Sequence, residues 1–194
     1  MLTKLLLSFL LFIQVFSASA AEVNHDNKPN FIVIMVDDLG FSDLKSYGGE
    51  LDTPSIDTLA KQGIKFSQFY NAARCVPSRA ALLTGLYPHQ AGLGHMVSDL
   101  GSDVYRGELS QHAVTIAQVL SAQGYFTAMT GKWHVTKNWR PDAPKDNWPL
   151  QRGFQRFYGT LPGHGSLYDP FALVEGNTPI KLTKGAYYTD LIGS

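Results

Sequence analysis

The 194-residue sequence predicts an α/β fold in which a mostly parallel sheet is sandwiched by helices. Apolar runs typical of strands alternate along the chain with segments that have helical spacing. The first run is unbroken, which favours a strand covered on both faces, as in a parallel sheet. The apolar share of 44% is enough for a buried core, and a formal net charge of zero gives no sign of a nucleic-acid-binding surface.

Residues 1–20 have the pattern of a secretory signal peptide. Lys4 precedes an apolar run at residues 5–16, and small residues at 18–20 suit cleavage near Ala20. The run is too short for a membrane span, which takes about 20 residues, although an uncleaved anchor is the alternative. We expect an exported protein, periplasmic or secreted, without a stable membrane anchor, in which residues 21–194 form the folded part.

Strands and helices alternate in the rest of the chain. Strands are predicted over residues 31–36, 64–70 and 125–130, with a short one over 153–158. Helices are predicted between Thr53 and Gly63, over residues 78–84 before Gly85, and between Thr115 and Gly124. The apolar face of the third helix is predicted to consist of Ile116, Val119 and Leu120.

Two later segments have the composition of loops. Residues 136–152 mix prolines, tryptophans and charges, which favours a surface loop. Residues 159–165 are glycine-rich and contain His164, so they are predicted to line a pocket. Thr189 and Asp190 are a helix-start signal, but the sequence ends before we expect a helix to form, which suggests a piece of a longer protein.

Chemically active side chains follow the predicted strands. In open α/β sheets, ligands bind at the carboxyl ends of the strands. Asp37 and Asp38, residues 74–79 and residues 132–134 all lie just after strands. The sequence therefore predicts that these three segments converge on one site.

Asp37 and Asp38 place two carboxylates side by side. Paired carboxylates suit a hard divalent cation such as Ca²⁺ or Mg²⁺, because they repel one another without a cation to neutralise them. A solvated turn is the alternative, since Asp is a common turn residue.

Cys75 is the single cysteine of the sequence, so no intrachain disulfide is possible. Pro77 indicates the first turn of a helix, which places Cys75 at a helix N-terminus, where the dipole favours an anionic nucleophile. Arg79 is four residues further on and shares that helical face. The alternative is a core cysteine beside an exposed arginine.

Lys132 and His134 flank Trp133 after the third predicted strand. On an extended segment, the two side chains point to the same side. One permanent positive charge and one titratable group suit a dianionic substrate and the proton of its leaving group. A solvated loop is the alternative.

These segments together resemble the sulfatases of the alkaline-phosphatase-like superfamily, especially the bacterial arylsulfatase type. Residues 75–85 are similar to the sulfatase signature C-x-P-S-R with its T-G ending. Residues 29–31 with 37–40, and Gly131-Lys132-Trp133-His134, are similar to the flanking motifs of that family in the expected order. The resemblance covers nearly all of residues 29–168.

The resemblance implies hydrolysis of a sulfate ester by a nucleophile derived from Cys75. A formylglycine-generating or anaerobic maturation enzyme would convert Cys75 to Cα-formylglycine. The hydrated aldehyde would attack the sulfur, the alcohol would leave, and sulfate would then be eliminated. The substrate would be a sulfated small molecule or glycan.

The resemblance also implies roles for the neighbouring side chains. Asp37, Asp38 and the modified residue 75 would bind the metal, Ca²⁺ rather than Mg²⁺. Arg79 would stabilise the anion of the hydrate. Lys132 would bind the sulfate, and His134 would hydrogen-bond formylglycine or sulfate.

The sequence lacks the downstream His, Asp-Asn pair and second Lys of the family. We therefore expect residues 21–194 to be the N-terminal portion of a catalytic domain, which holds about half a site and is inactive alone. Two alternatives stay open: a phosphonate or phosphodiester hydrolase of the same superfamily, and a non-catalytic secreted α/β fragment. Loops at residues 139–148 and 159–168 are expected to determine substrate specificity.

Overall fold

The computed structural model describes residues 28–193, and the chain divides into two units, Met1–Val36 and Asp37–Ser194. The predicted signal peptide lies outside the described residues. In the first unit, residues 28–36 contain no helix or strand, and Ile32 is 85% exposed. The prediction of a strand over residues 31–36 is therefore wrong for this structure, because an apolar run forms a strand only where a neighbouring strand pairs with it.

The second unit is built on a four-stranded sheet in the order β1-β2-β3-β4. The strands are β1 Ala128–Lys132, β2 Arg156–Thr160, β3 Leu173–Glu175 and β4 Thr178–Pro179. β1 and β2 are parallel, with Lys132 opposite Thr160, whereas the other two pairings are antiparallel. The sheet in the described residues is thus mixed, and the strands predicted over residues 125–130 and 153–158 begin three residues later than predicted.

Four α-helices accompany the sheet. They are α1 Pro54–Gln62, α2 Cys75–Thr84, α3 Ile116–Ala122 and α4 Tyr188–Ile192, and short 3₁₀ turns occupy Phe41–Asp43, Lys45–Tyr47 and Pro149–Arg152. α1 begins after Thr53 and ends at Gly63, as predicted. α2 starts at Cys75, as Pro77 indicated, which is three residues before the helix predicted over residues 78–84. It ends at Gly85, whose φ of +68° is readily adopted by glycine.

The region between α1 and α2 is irregular. Residues 64–70 form no strand, and the exposed fractions of Ile64 and Tyr70 are 84% and 85%. The predicted strand there is wrong for the same reason as the first one: among the described residues, this segment is not paired with the sheet. An apolar composition alone does not supply the hydrogen bonds of a strand.

α3 begins at the predicted cap but turns a different face inward. Thr115 and Gln118 form a capping box, in which the Thr115 hydroxyl accepts a hydrogen bond from the Gln118 N–H. Ala117 is buried, whereas Ile116 and Val119 are 43% and 53% exposed. Leu120, the third residue of the predicted face, is half-buried. The predicted apolar face is therefore wrong for Ile116 and Val119, because the buried side of this short helix is centred on Ala117.

The end of the described chain forms a helix, contrary to expectation. α4 follows Tyr187, so Thr189 and Asp190 lie within the helix and not at its start. The Thr130 hydroxyl donates to the Ile192 carbonyl at 2.9 Å, which ties this short helix to β1.

The hydrophobic core surrounds the sheet and includes residues from the predicted surface loop. Trp133, Trp148 and Phe157 are fully buried. The Trp133 and Trp148 indoles donate to the Asn147 and Asn138 carbonyls at 2.7 and 2.5 Å, so both tryptophans are packed and hydrogen-bonded. The prediction of a surface loop over residues 136–152 is therefore wrong for its second half. Among residues 28–193 there is no helix with the length and apolar character needed to cross a bilayer.

Candidate functional site

The site lies where the parallel strands β1 and β2 end. The N–H groups of Trp133 and His134 donate to the carbonyls of Thr160 and Leu161, each at 2.9 Å. These bonds continue the β1–β2 ladder beyond Lys132, the last residue of β1. The segment after β1 is therefore held in register with the segment after β2.

The core holds α2 beside the end of β1. Val76 and Ala80 on α2 are fully buried, and they lie in the same core cluster as Trp133. The Arg79 Nη1 donates to the Lys132 carbonyl at 2.6 Å, and its side chain is only 9% exposed. Burial lowers the pKa of Arg79, although the charges of Asp37 and Cys75 act in the opposite direction. An arginine remains a cation even so, which keeps a positive charge buried at this point.

Asp37 joins the two cationic side chains. The Lys132 Nζ donates to Asp37 Oδ2 at 2.7 Å, and the Arg79 Nη2 lies 3.7 Å from Asp37 Oδ1. Partial burial raises the pKa of Asp37, but the hydrogen bond and charge of Lys132 and the charge of Arg79 outweigh it, so the pKa is below its ordinary value. The three predicted segments thus meet, through Asp37, Arg79 and Lys132.

His134 is buried at the same strand end, with 5% exposure. Burial lowers its pKa to about 4, and the charges of Lys132 and Arg79 act in the same direction. Its imidazole occupies the space next to Gly163, where an added Cβ would overlap three ring atoms. Its backbone φ of +55° is left-handed, so this segment is not extended at His134. The prediction that Lys132 and His134 point to the same side, which assumed an extended segment, therefore loses its basis.

Left-handed backbone recurs in the segments that form the site. The non-glycine residues with positive φ include Asp38 at 54°, Ala73 at 55° and His134 at 55°. Such conformations cost on the order of 1–3 kcal/mol each and concentrate at functional sites. All three of these segments contain residues that the sequence singled out.

Cys75 is the first residue of α2 and is a free thiol of intermediate burial. It packs against the core cluster, so the helix N-terminus is fixed close to Arg79. Asp38 is exposed, and none of the ion pairs in the described residues includes it. The structure therefore brings Asp37, Cys75, Arg79, Lys132 and His134 to one strand end and leaves Asp38 at its solvent side.

The donor atoms present fit a divalent cation in kind. Asp37 and Asp38 offer carboxylate oxygens, which Ca²⁺ and Mg²⁺ prefer. The Asp37 carboxylate also pairs with the side chains of Arg79 and Lys132. Two carboxylates supply fewer than the six to eight oxygens that calcium takes. In residues 28–193 there is no group of three or more His, Cys, Asp or Glu side chains that could hold a metal ion.

Two residues at the site carried no clear signal in the sequence. Gly163 lies against His134, a contact that depends on the β1–β2 register. The Tyr188 hydroxyl accepts from the Thr160 N–H at 3.1 Å, and burial raises the pKa of Tyr188. Only the glycine-rich composition of residues 159–165 pointed to this region.

Together, the α/β sheet and the cationic cluster at its strand ends define a candidate anion-binding site. The Sulfatase family model matches residues 29–190, and the chain belongs to that family. It is 37% identical to the arylsulfatase of Klebsiella aerogenes over 165 residues, which are 81% of this chain and 34% of the relative. It is 43% identical to the arylsulfatase A of Bos taurus over 150 residues, which are 76% of this chain and 28% of the relative.

A solved structure shares the fold. The crystal structure of Ps i-CgsB in complex with k-i-k-neocarrahexaose is 35% identical, has a TM-score of 0.66, and matches 80% of this chain and 37% of its own. This likeness confirms the predicted α/β, alkaline-phosphatase-like fold class. The chain spans about a third of the length of these relatives.

Proposed function

We propose that this chain forms part of an exported sulfate-ester hydrolase, with residues 21–194 as the N-terminal portion of its catalytic domain. The observation that carries the proposal is the cluster of Arg79, Lys132 and Asp37 at the Cys75 end of α2. Two positive charges beside a helix N-terminus suit a sulfate group, which is an oxyanion. Family membership supports sulfate over other anions.

Arg79 and Lys132 would bind and orient the sulfate. The hydrogen bond from Arg79 to the Lys132 carbonyl holds the guanidinium in one orientation, so little entropy is lost when an oxyanion binds. Because Arg79 is buried, its charge acts through a medium of low dielectric and stabilises developing negative charge strongly.

His134 would hydrogen-bond the sulfate or residue 75. With a pKa of about 4, its imidazole is neutral at pH 7, so one ring nitrogen donates and the other accepts. The Nδ1 atom is buried and has no hydrogen-bond partner among the described residues. A neutral ring adds polarity without repelling the two neighbouring cations.

Asp37, Asp38 and residue 75 would hold the divalent metal, Ca²⁺ rather than Mg²⁺. When present, the metal supplies positive charge to the sulfate oxygens, and formylglycine at position 75 supplies the nucleophilic oxygen. A formylglycine-generating or anaerobic maturation enzyme would make this modification. Lys132 would keep the Asp37 carboxylate ionised and oriented, through its 2.7 Å hydrogen bond.

We infer a sulfated glycan as the substrate class. The support is the likeness to Ps i-CgsB, a protein solved with k-i-k-neocarrahexaose. A small aryl sulfate would be accepted as well, because the residues around Arg79 and Lys132 bind the sulfate and not the alcohol.

The test uses the protein that carries this sequence, produced together with a maturation enzyme. We expect it to hydrolyse 4-nitrophenyl sulfate and a sulfated oligosaccharide, and to act much more slowly on bis(4-nitrophenyl) phosphate. Cys75→Ala should abolish hydrolysis, and mass spectrometry of the peptide that contains residue 75 should detect formylglycine. Faster hydrolysis of the phosphodiester, or an unmodified thiol in an active protein, would contradict the proposal.

A further inference from the structure

We propose that His164, Phe171, Trp139 and Arg140 form a subsite that binds the sugar next to the sulfated one. This inference depends on the proposed function, because it concerns the part of the substrate that does not react. None of these four side chains belongs to the sulfate-binding cluster of Asp37, Arg79 and Lys132.

The subsite is joined to the candidate active site through Gly163. The Gly163 backbone lies against the His134 imidazole so closely that no side chain fits between them. The next residue, His164, is exposed and therefore lies at the rim of the buried His134.

A row of ring contacts leads away from His134. The His164 and Phe171 ring centroids are 5.3 Å apart, and the Phe171 and Trp139 centroids are 5.5 Å apart. Both pairs are edge-to-face, with interplanar angles of 64° and 74°. This arrangement leaves ring surface uncovered: Phe171 is 38% exposed and Trp139 is half-buried.

The charges beside these rings favour a sulfated sugar over a purely apolar group. The Arg140 guanidinium lies 5.4 Å from the centroid of the Trp139 ring, at the far end of the row from His134. Aromatic faces pack against the C–H surface of a pyranose, and an arginine binds a second sulfate on that sugar. A lipid or steroid offers no anionic group for the exposed Arg140 guanidinium to bind.

The row is built from two separate loops. Trp139 and Arg140 lie in the segment after β1, whereas His164 and Phe171 lie between β2 and β3. Trp139 is anchored against the core cluster, so its position does not depend on the substrate. A preformed aromatic wall of this kind binds a ring with little loss of side-chain entropy.

The test compares Phe171→Ala, Trp139→Ala and Arg140→Ala with Phe126→Ala, an aromatic residue that is 71% exposed on another part of the chain. With a multiply sulfated oligosaccharide, we expect KM to rise about tenfold in each of the first three variants, with kcat little changed. With 4-nitrophenyl sulfate, which contains no sugar, kcat/KM of these variants should stay within about twofold of the parent. Phe126→Ala should change neither substrate's kinetics.

A binding measurement separates this proposal from the proposed function. In the Cys75→Ala background, calorimetry should detect weaker binding of the same oligosaccharide when Phe171, Trp139 or Arg140 is replaced by Ala. If the parent hydrolyses no sulfate ester but this binding difference persists, the proposed function fails and the subsite stands. Equal losses on both substrates, or no change in oligosaccharide KM and affinity, would overturn the subsite.

Discussion

Gly163 and His134 meet across the ends of two parallel strands, and this contact explains why residue 163 has no side chain. The imidazole fills the space that a Cβ would need, and the ring is itself buried. Any larger residue must displace either the loop after β2 or the ring. The His134 N–H donates to the Leu161 carbonyl and fixes the backbone of the two segments relative to each other, so the displacement would include the imidazole.

Gly163→Ala tests this contact. The added methyl group should move the His134 ring and lower kcat on 4-nitrophenyl sulfate on the order of 10²-fold, as expected for a misplacement of about 1 Å at a reacting centre. The matched control is Gly193→Ala, where an added Cβ meets no atom closer than 3.9 Å. Full activity in Gly163→Ala would contradict the contact with His134.

The stability of the protein should depend on pH through His134, whose pKa is about 4. The ordinary pKa of histidine is about 6.5, so between these values the unfolded chain binds a proton that the folded protein does not. The contribution of neutral His134 to the free energy of unfolding is therefore fully present above pH 6.5. It is lost as the pH decreases toward 4, by up to about 1.4 kcal/mol per pH unit.

The measurement is urea denaturation at pH 7 and pH 4.5 for the parent and for His134→Gln. Glutamine does not titrate, so the variant should lose less stability on acidification than the parent does. The difference between the two pH dependences is the readout, since the substitution itself also changes stability at both pH values. Identical pH dependences would show that His134 titrates normally in the folded protein.

The Thr115 cap does more than stop the first turn of α3 from fraying. The Thr115 hydroxyl accepts from the Gln118 N–H at 3.2 Å and donates to the Arg152 carbonyl at 2.6 Å. One buried side chain therefore both begins α3 and attaches it to the turn at Pro149–Arg152. Thr53 occupies the same position before α1, but it makes no cap hydrogen bond.

The pair Thr115→Ala and Thr53→Ala measures this difference. Thr115→Ala loses a cap and leaves a buried carbonyl without a donor, so we expect a loss of about 2 kcal/mol in the free energy of unfolding. Thr53→Ala should lose less than half of that, because its hydroxyl bonds only to the Asp57 side chain. Chemical denaturation of both variants measures the two losses in the free energy of unfolding. A larger loss in Thr53→Ala than in Thr115→Ala would contradict this prediction.

The elements around the site were predictable from local patterns. Pro77 indicated that Cys75 begins a helix, and the apolar run before Gly131 indicated the strand that ends at Lys132. Both patterns act over a few residues, so the sequence alone specifies them. The contact of Gly163 with His134 depends on how two distant strands align, and no local pattern encodes that register.

The sequence shows which segments of the molecule are apolar, but it does not show which of them pair with another strand. Residues 31–36 and 64–70 have the composition of strands, yet neither forms one among the described residues. Residues 136–152 have the composition of a surface loop, yet Trp148 is fully buried. Burial depends on the partners that tertiary structure brings together, and the Trp148 indole N–H donates to the Asn138 carbonyl at 2.5 Å.

Arg152 shows how such long-range partners hold the second unit together. It is 1% exposed and donates to the carbonyls of Ser110 and Ala113 and to the Gln111 side chain. Burial lowers its pKa, but no acidic group lies against it in the ion pairs of the described residues, so carbonyl oxygens alone compensate the charge. The guanidinium thereby links the turn before β2 to the loop that leads into α3.

Arg152→Met should therefore destabilise the protein through its polar partners and not through lost volume. Methionine fills most of the space but leaves the Ala113 carbonyl without a donor, whereas the Ser110 carbonyl still accepts from the Ala113 N–H. We therefore expect a loss of about 2 kcal/mol in the free energy of unfolding. The matched control is Arg156→Met, since Arg156 is exposed and its replacement should cost less than about 0.5 kcal/mol. Urea denaturation measures the free energy of unfolding of both variants. Equal losses would mean that other groups donate to the carbonyls around Arg152. The guanidinium would then not be what joins these segments.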